Sequence, residues 1–183
     1  ARALYMQADI APLCKMLQQG VFEAFSNRDY RWSDELTVKT AFLATLFNDV
    51  LFIMDSEPEL NRGYADLSMI VRPDMRHYDI FDILMEFKFI KLSDIGMTGE
   101  AIGNTSDEAL NALPQVEKSF ADAEQQLRRY IPSILKKHGD GIKLCSFAVV
   151  AVGFDRLLWK MVVTAQIASD FADSEAKKRS LLL

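Results

Sequence analysis

Apolar residues recur at helical spacing through the first fifty positions and then give way to shorter, denser runs. Between Ala11 and Phe25, residues Leu13, Leu17, Val21, Phe22 and Phe25 follow a 3.6-residue period, which predicts a helix. A polar break, Ser26-Asn27-Arg28-Asp29, comes next. Ser33 is suited to cap a second helix from Asp34 to about Asn48, with Asp34 and Glu35 in the first turn, where the helix dipole favours acids. Leu36, Phe42, Leu43, Leu46 and Phe47 would form its apolar side.

Beyond Asp49 the pattern becomes that of strands. Val50 to Met54 is rich in β-formers, and Pro58, Asn61 and Gly63 punctuate a turn before Tyr64 to Val71. Pro73, Asp74 and His77 mark another turn ahead of Tyr78 to Ile90. Three strands with short connections predict an antiparallel meander. Lys91 to Thr105, with Gly96, Gly99 and Gly103, is expected to be loop. Ser106 to Lys137 is helical, interrupted near Pro114, with Pro132 a site for a kink or a new turn and Gly139-Asp140-Gly141 a stop. Ile142 to Gly153 and Arg156 to Ile167 are two buried strands around a Gly-Phe-Asp turn. A polar tail from Ala168 ends in Leu181 to Leu183. The order is ααβββαββ, without internal repeat.

One strand breaks the apolar pattern. In Ile83-Leu84-Met85-Glu86-Phe87-Lys88-Phe89-Ile90 an acid and a base stand two residues apart, on one face, while Met85, Phe87 and Phe89 point to the other. Charges in a buried strand are costly unless paired or bound. Either Glu86 ligates a metal while Lys88 polarises a water, or the two form an ion pair at a strand end open to solvent. Asp66 favours the first reading. It lies early in the preceding strand, and pairing through the Pro73 turn brings it beside Glu86. Hard cations such as Mg²⁺ use one or two carboxylates with waters and substrate phosphates, so this set suits metal-assisted phosphodiester hydrolysis.

Composition narrows the setting. A chain of 183 residues suits one domain. No signal-like segment and no apolar run of membrane-spanning length occurs, which suggests a cytoplasmic protein. Cys14 and Cys145 are far apart and suit buried thiols in a reducing compartment. The net charge of −5 argues against a phosphate-binding surface, yet it is unevenly spread. Residues 1–120 hold 11 Lys/Arg against 19 Asp/Glu, and residues 121–183 hold 10 against 7. Arg128, Arg129, Lys136, Lys137 and Lys143 are either a solvated helix face or a phosphate track. A start at Ala1 without an initiator Met suggests a piece of a longer chain.

Taken in order, these segments resemble a known family. Ser56-Glu57-Pro58, Asn61-Arg62-Gly63-Tyr64-Ala65-Asp66-Leu67 and, some twenty residues on, Met85-Glu86-Phe87-Lys88-Phe89 look like the core of PD-(D/E)XK nucleases. More narrowly, the chain is similar to the divergent bacterial group often found after an AAA-type ATPase-like domain. Ala123, Gln126, Leu127 and Tyr130 match that group's helical segment, and Phe147 to Phe154 its last strand, with Ala151 in place of the usual middle residue. Ala65 stands where the usual motif has proline. The resemblance, over about residues 33–160, implies a single α/β domain with a three-layer restriction-endonuclease-like core, a mixed sheet flanked by helices. It implies Asp66 and Glu86 as ligands of Mg²⁺ or Mn²⁺, Lys88 as the catalytic lysine, and Glu35 as the upstream acid, with Glu57 a possible substitute. Gln126 and Tyr130 would flank the site or touch a phosphate. DNA is the substrate class it implies, and an ATPase-like domain in the same full-length chain the partner. The alternative is a nuclease-fold module that no longer cuts and serves for binding or assembly.

Other chemistries lack support. His77 beside a turn and His138 at a helix end suit surface roles, and neither a G-x-S-x-G elbow nor a phosphate-loop signature occurs. Gly96 to Gly103 is too irregular for a nucleotide loop and is expected to be a mobile flap over the site. Phe22, Phe25, Phe42 and Phe47 are expected in the core.

Overall fold

The structure is a computed structural model and describes residues 1–24, 34–56, 59–60 and 63–162. Helices α1 (Arg2–Gln7) and α2 (Ala11–Met16) lead into a π turn, Leu17–Val21, and a 3₁₀ turn, Phe22–Ala24. Leu13, Leu17 and Phe22 are buried as their spacing requires, while Phe25 and the polar break after it lie outside the described residues.

Helix α3 (Glu35–Leu46) starts one residue later than its sequence suggests. Asp34 is the N-cap, its carboxylate accepting the Thr37 N–H at 2.9 Å; Ser33 is outside the described residues. The helix buries Val38, Lys39, Phe42 and Leu46. Leu36 and Phe47 are instead exposed, at 60% and 64%. Apolar residues lie all round this helix, so spacing alone does not select the buried stripe.

Strands β1 (Phe52–Ser56), β4 (Leu67–Val71), β5 (Asp82–Ile90), β6 (Leu144–Val152) and β7 (Arg156–Met161) form one sheet in the order β1-β4-β5-β6-β7. The expected meander is present, with β1–β4 and β4–β5 antiparallel. Short strands β2 (Glu59–Leu60) and β3 (Gly63–Tyr64) pair separately, so the predicted Tyr64–Val71 strand is divided and Asp66 sits at a bend just before β4. β5 and β6 are parallel, and β7 returns antiparallel after a turn at Gly153, whose φ of 57° suits glycine.

Parallel neighbours need a crossover. Here it runs through α4 (Leu92–Ile95), α5 (Gly99–Gly103), α6 (Asp107–Asn111) and α7 (Pro114–His138). The break near Pro114 is present, and α7 continues through Pro132, with Ile131 and Ile134 buried on either side of it, to Gly139, whose φ of 73° suits glycine. The segment 91–105, expected to be loop with a mobile flap from Gly96 to Gly103, instead holds the short helices α4 and α5. Ile102 is fully buried, and Arg156 donates to the carbonyls of Ile102, Gly103 and Thr105 and to Asp107. Burial of one isoleucine and a guanidinium fork outweigh the glycine content of the segment.

Strand alternation sorts two cores, one per sheet face. Ile83, Met85 and Phe87 of β5 pack with Leu4, Leu17, Val38 and Phe42, the last against Phe87 with ring centroids 4.9 Å apart. Leu84 and Ile90 face the opposite side with Ile102, Phe120, Leu127 and Ile134. The result is a helix–sheet–helix sandwich. Among the described residues no helix is long and apolar enough to cross a membrane.

Candidate active site

Four charged residues expected from the sequence converge where β4, β5 and α3 meet. Leu67 pairs with Met85, which sets Asp66 opposite Glu86. The Phe87 N–H donates to Asp66 Oδ2 at 2.7 Å, fixing the carboxylate by a main-chain bond. Lys88 Nζ donates to Glu86 Oε1 at 3.0 Å and to the Phe87 carbonyl at 2.9 Å. Glu35, in the first turn of α3, places Oε2 3.8 Å from Lys88 Nζ. Helix and sheet thus supply the acids, and Lys88 links two of them.

Electrostatics follow from burial. Glu86 is only 3% exposed, and its Oε2 is buried with no hydrogen-bond partner. Burial first, and then the neighbouring Asp66 charge, push its carboxyl up to about 7, against the pull of Lys88. Glu35 is also raised, by burial and by Asp66, despite Lys88 and Lys39. Burial opposes the Lys88 charge, but Glu86, Glu35 and Asp66 outweigh it and raise the lysine. A carboxylate near neutrality beside a firmly protonated lysine is suited to proton or cation exchange at neutral pH.

The donor set fits a hard divalent cation in its chemistry. An unpartnered, buried carboxylate oxygen at Glu86 and a neighbouring anchored Asp66 are oxygen donors of the right kind. Among the described residues no three His, Cys, Asp or Glu side chains form a ready ligand cluster. A cation held here takes its remaining positions from water and phosphate.

Gln126 and Tyr130 lie on α7, and no hydrogen bond or ion pair of the described residues joins either to these four. Tyr130 is 2% exposed, in the same core cluster as Ala65, and its hydroxyl accepts from Arg129 Nη2 at 2.8 Å. Gln126 is half-buried, with Oε1 buried and unpartnered. Glu57 is outside the described residues. His77 Nδ1 donates to the Asp74 carbonyl at 3.0 Å, beside the turn, and His138 ends α7, both where the sequence puts them.

Lys39 was not anticipated. It is 6% exposed and places Nζ 3.9 Å from Asp66 Oδ1. The available signal was its position four residues after Glu35, which puts both on one face of α3.

A five-stranded mixed sheet between helical layers, with an acid at a bend and an acid–x–lysine on the central strand, defines a nuclease-type α/β domain of the restriction-endonuclease-like kind. The sequence profile of the PD-(D/E)XK nuclease superfamily matches residues 33–144, more than half of the chain, and the protein belongs to that superfamily. Neither a curated protein nor a solved structure gives a significant match.

Proposed function

We propose that this domain is a metal-dependent nuclease that hydrolyses phosphodiester bonds, with DNA as its substrate. The observation that carries the proposal is the buried, unpartnered Glu86 Oε2 beside Asp66, Lys88 and Glu35. Leaving a buried carboxylate oxygen without a partner costs about 1–3 kcal/mol or more. A bound cation removes that cost. Asp66 and Glu86 would hold Mg²⁺ or Mn²⁺, which supplies charge stabilisation and a water of lowered pKa.

The chain's own groups account for the rest. Lys88 stands 3.0 Å from Glu86 and 3.8 Å from Glu35; there it would orient the attacking water and offset charge developing on the phosphate. Glu35, 43% exposed at its side chain, lies at the solvent side and can take the proton that the water loses. Gln126 and the exposed Arg128, Arg129, Lys136 and Lys137 of α7 are the proposed backbone contacts, with Tyr130 acting through Arg129. The choice of DNA rests on what proteins of this fold commonly act on. An ATPase-like domain in the full-length chain is the proposed partner.

A second reading has its own support. Asp66 is already engaged by the Phe87 N–H and faces Lys39, and Ala65 stands where the motif has proline. On that reading the domain binds or assembles beside its ATPase-like partner without cutting.

Cleavage of circular single-stranded DNA, supercoiled plasmid and RNA with Mg²⁺ or Mn²⁺ separates the two, with Glu86→Ala and Lys88→Ala purified in parallel. The expected result is metal-dependent cutting of DNA, reduced at least about 100-fold in both variants, as for loss of a charge-stabilising group. Equal cutting by all three proteins would mark a contaminant and remove support for the site. No cutting by wild type, together with no metal binding, would select the second reading.

A further inference from the structure

Among the buried charges of the described core, Lys39 is unexplained by the nuclease motif. It lies on the second turn of α3 at 6% exposure, between buried Val38 and Phe42 on the same helix. Taking an ammonium out of water is costly unless an opposite charge compensates it. One carboxylate facing it is Asp66, itself only 14% exposed at the side chain, and the charge of Lys39 also reaches Glu35.

The two oxygens of Asp66 are treated differently. Oδ2 is locked by a 2.7 Å bond from the Phe87 N–H. Oδ1 faces Lys39 Nζ at 3.9 Å, beyond hydrogen-bond length. Lys39 therefore acts on that oxygen by charge. At 6% exposure it is also a poor candidate for a phosphate contact, which needs an ammonium that solvent and substrate reach. Phosphate readers are accessible; Lys39 is walled in.

We infer that Lys39 is a positioning residue: a built-in cation that holds Asp66 in place and competes with the divalent cation for it. Lys39 and Lys88 then bracket the three carboxylates, one at Asp66 and one between Glu86 and Glu35. The competition keeps the metal bound loosely enough for the Asp66 carboxylate to stay aimed by α3 as well as by the sheet. This rests on the nuclease reading for its consequence in cutting, while its effect on cation affinity does not need cutting at all.

The test is Mn²⁺ binding, by electron paramagnetic resonance of free ion, to wild type, Lys39→Met and Lys39→Arg, with circular dichroism and melting as controls of folding. An ammonium this close to Asp66 repels a second cation at the same carboxylate appreciably even in water, and more strongly in a buried site. Removing Lys39 is therefore expected to tighten Mn²⁺ binding about fivefold or more. Lys39→Arg should keep wild-type affinity. For cutting, kcat should fall about tenfold or more in Lys39→Met with KM for DNA unchanged. A folded Lys39→Met with equal or weaker Mn²⁺ affinity would overturn the inference while leaving the nuclease reading in place. So would a raised KM with unchanged affinity, which would make Lys39 a phosphate contact. If wild type binds Mn²⁺ but cuts nothing, the nuclease reading falls and the affinity change alone decides Lys39. If wild type binds no Mn²⁺, both fall. Should Lys39→Met not fold, Lys39→Gln is measured in its place. If neither folds, Lys39 is structural and the inference is lost.

Discussion

Strand β5 carries two buried carboxylates four residues apart on the same face, and they have opposite environments. Asp82, fully buried, accepts from the Val71 N–H at 2.8 Å, the Lys143 N–H at 2.9 Å, and Arg76 through Nη1 at 2.6 Å and Nη2 at 2.8 Å. Each of its oxygens is engaged twice. Glu86 has one oxygen engaged by Lys88 and the other by nothing. The Asp82 end ties β4, β5 and the entry to β6 together; the Glu86 end leaves binding capacity unspent. A buried acid with every acceptor satisfied is a structural device. An equally buried acid with an empty acceptor among other acids is where the proposed cation would bind. The basic residues of α7 follow the same axis. His138, which ends α7, feels the charges of Asp82 and Arg76, so Lys136 and Lys137 stand towards the structural end.

The comparison breaks most sharply at Asp82. Asp82→Ala leaves Arg76 and two main-chain N–H groups without their acceptor and should cost about 3–5 kcal/mol, measured by urea unfolding. Should it cost under about 1 kcal/mol, the distinction between the two ends would collapse. Asp82→Asn keeps part of the hydrogen bonding but loses the charge, and should cost about 1–3 kcal/mol on the same scale.

Glu86→Gln should stabilise the metal-free protein near pH 7, since it removes a charge that burial disfavours, while, on the proposed function, abolishing cutting and weakening Mn²⁺ binding. The pH dependence gives the finer test. Glu86 is raised to about 7 in the folded protein, above its ordinary value of 4.5. Below the ordinary value the group is protonated in both states and costs nothing. As pH rises through that value towards about 7, the unfolded chain releases a proton that the folded chain keeps, so the stability of the metal-free protein declines. The unfolding free energy of wild type minus that of Glu86→Gln should therefore fall across this window and level off above it. Mn²⁺ affinity should rise over the same range and then level off, because the cation needs the ionised carboxylate. A flat difference between the two proteins would mean that Glu86 is ionised throughout, and that the two ends of β5 are more alike than their hydrogen bonds imply.

Much of the candidate site's geometry was legible because strand geometry is strict. A two-residue period places Glu86 and Lys88 on one face whatever surrounds them, and the meander brings Asp66 alongside. Other features were decided by partners far away in the chain. The end of the glycine-rich segment 96–103 is held by Arg156, more than fifty residues from Ile102 and Gly103, and local composition carries no trace of that clamp. Leu36 and Phe47 face solvent and Lys39 is buried because packing of α3 on Phe87, and not its own pattern, chose the helix face.

From its sequence alone the chain determined that it forms an α/β domain, which strand holds the acid and the lysine, and which superfamily it belongs to, because periodicity and motif order are local properties. Only the tertiary structure decided that Asp82 is satisfied and Glu86 is not, that Tyr130 sits in the core, and that Lys39 faces Asp66. Hydrogen-bond satisfaction and burial depend on what the rest of the fold brings within about 3 Å, and no residue carries that information by itself.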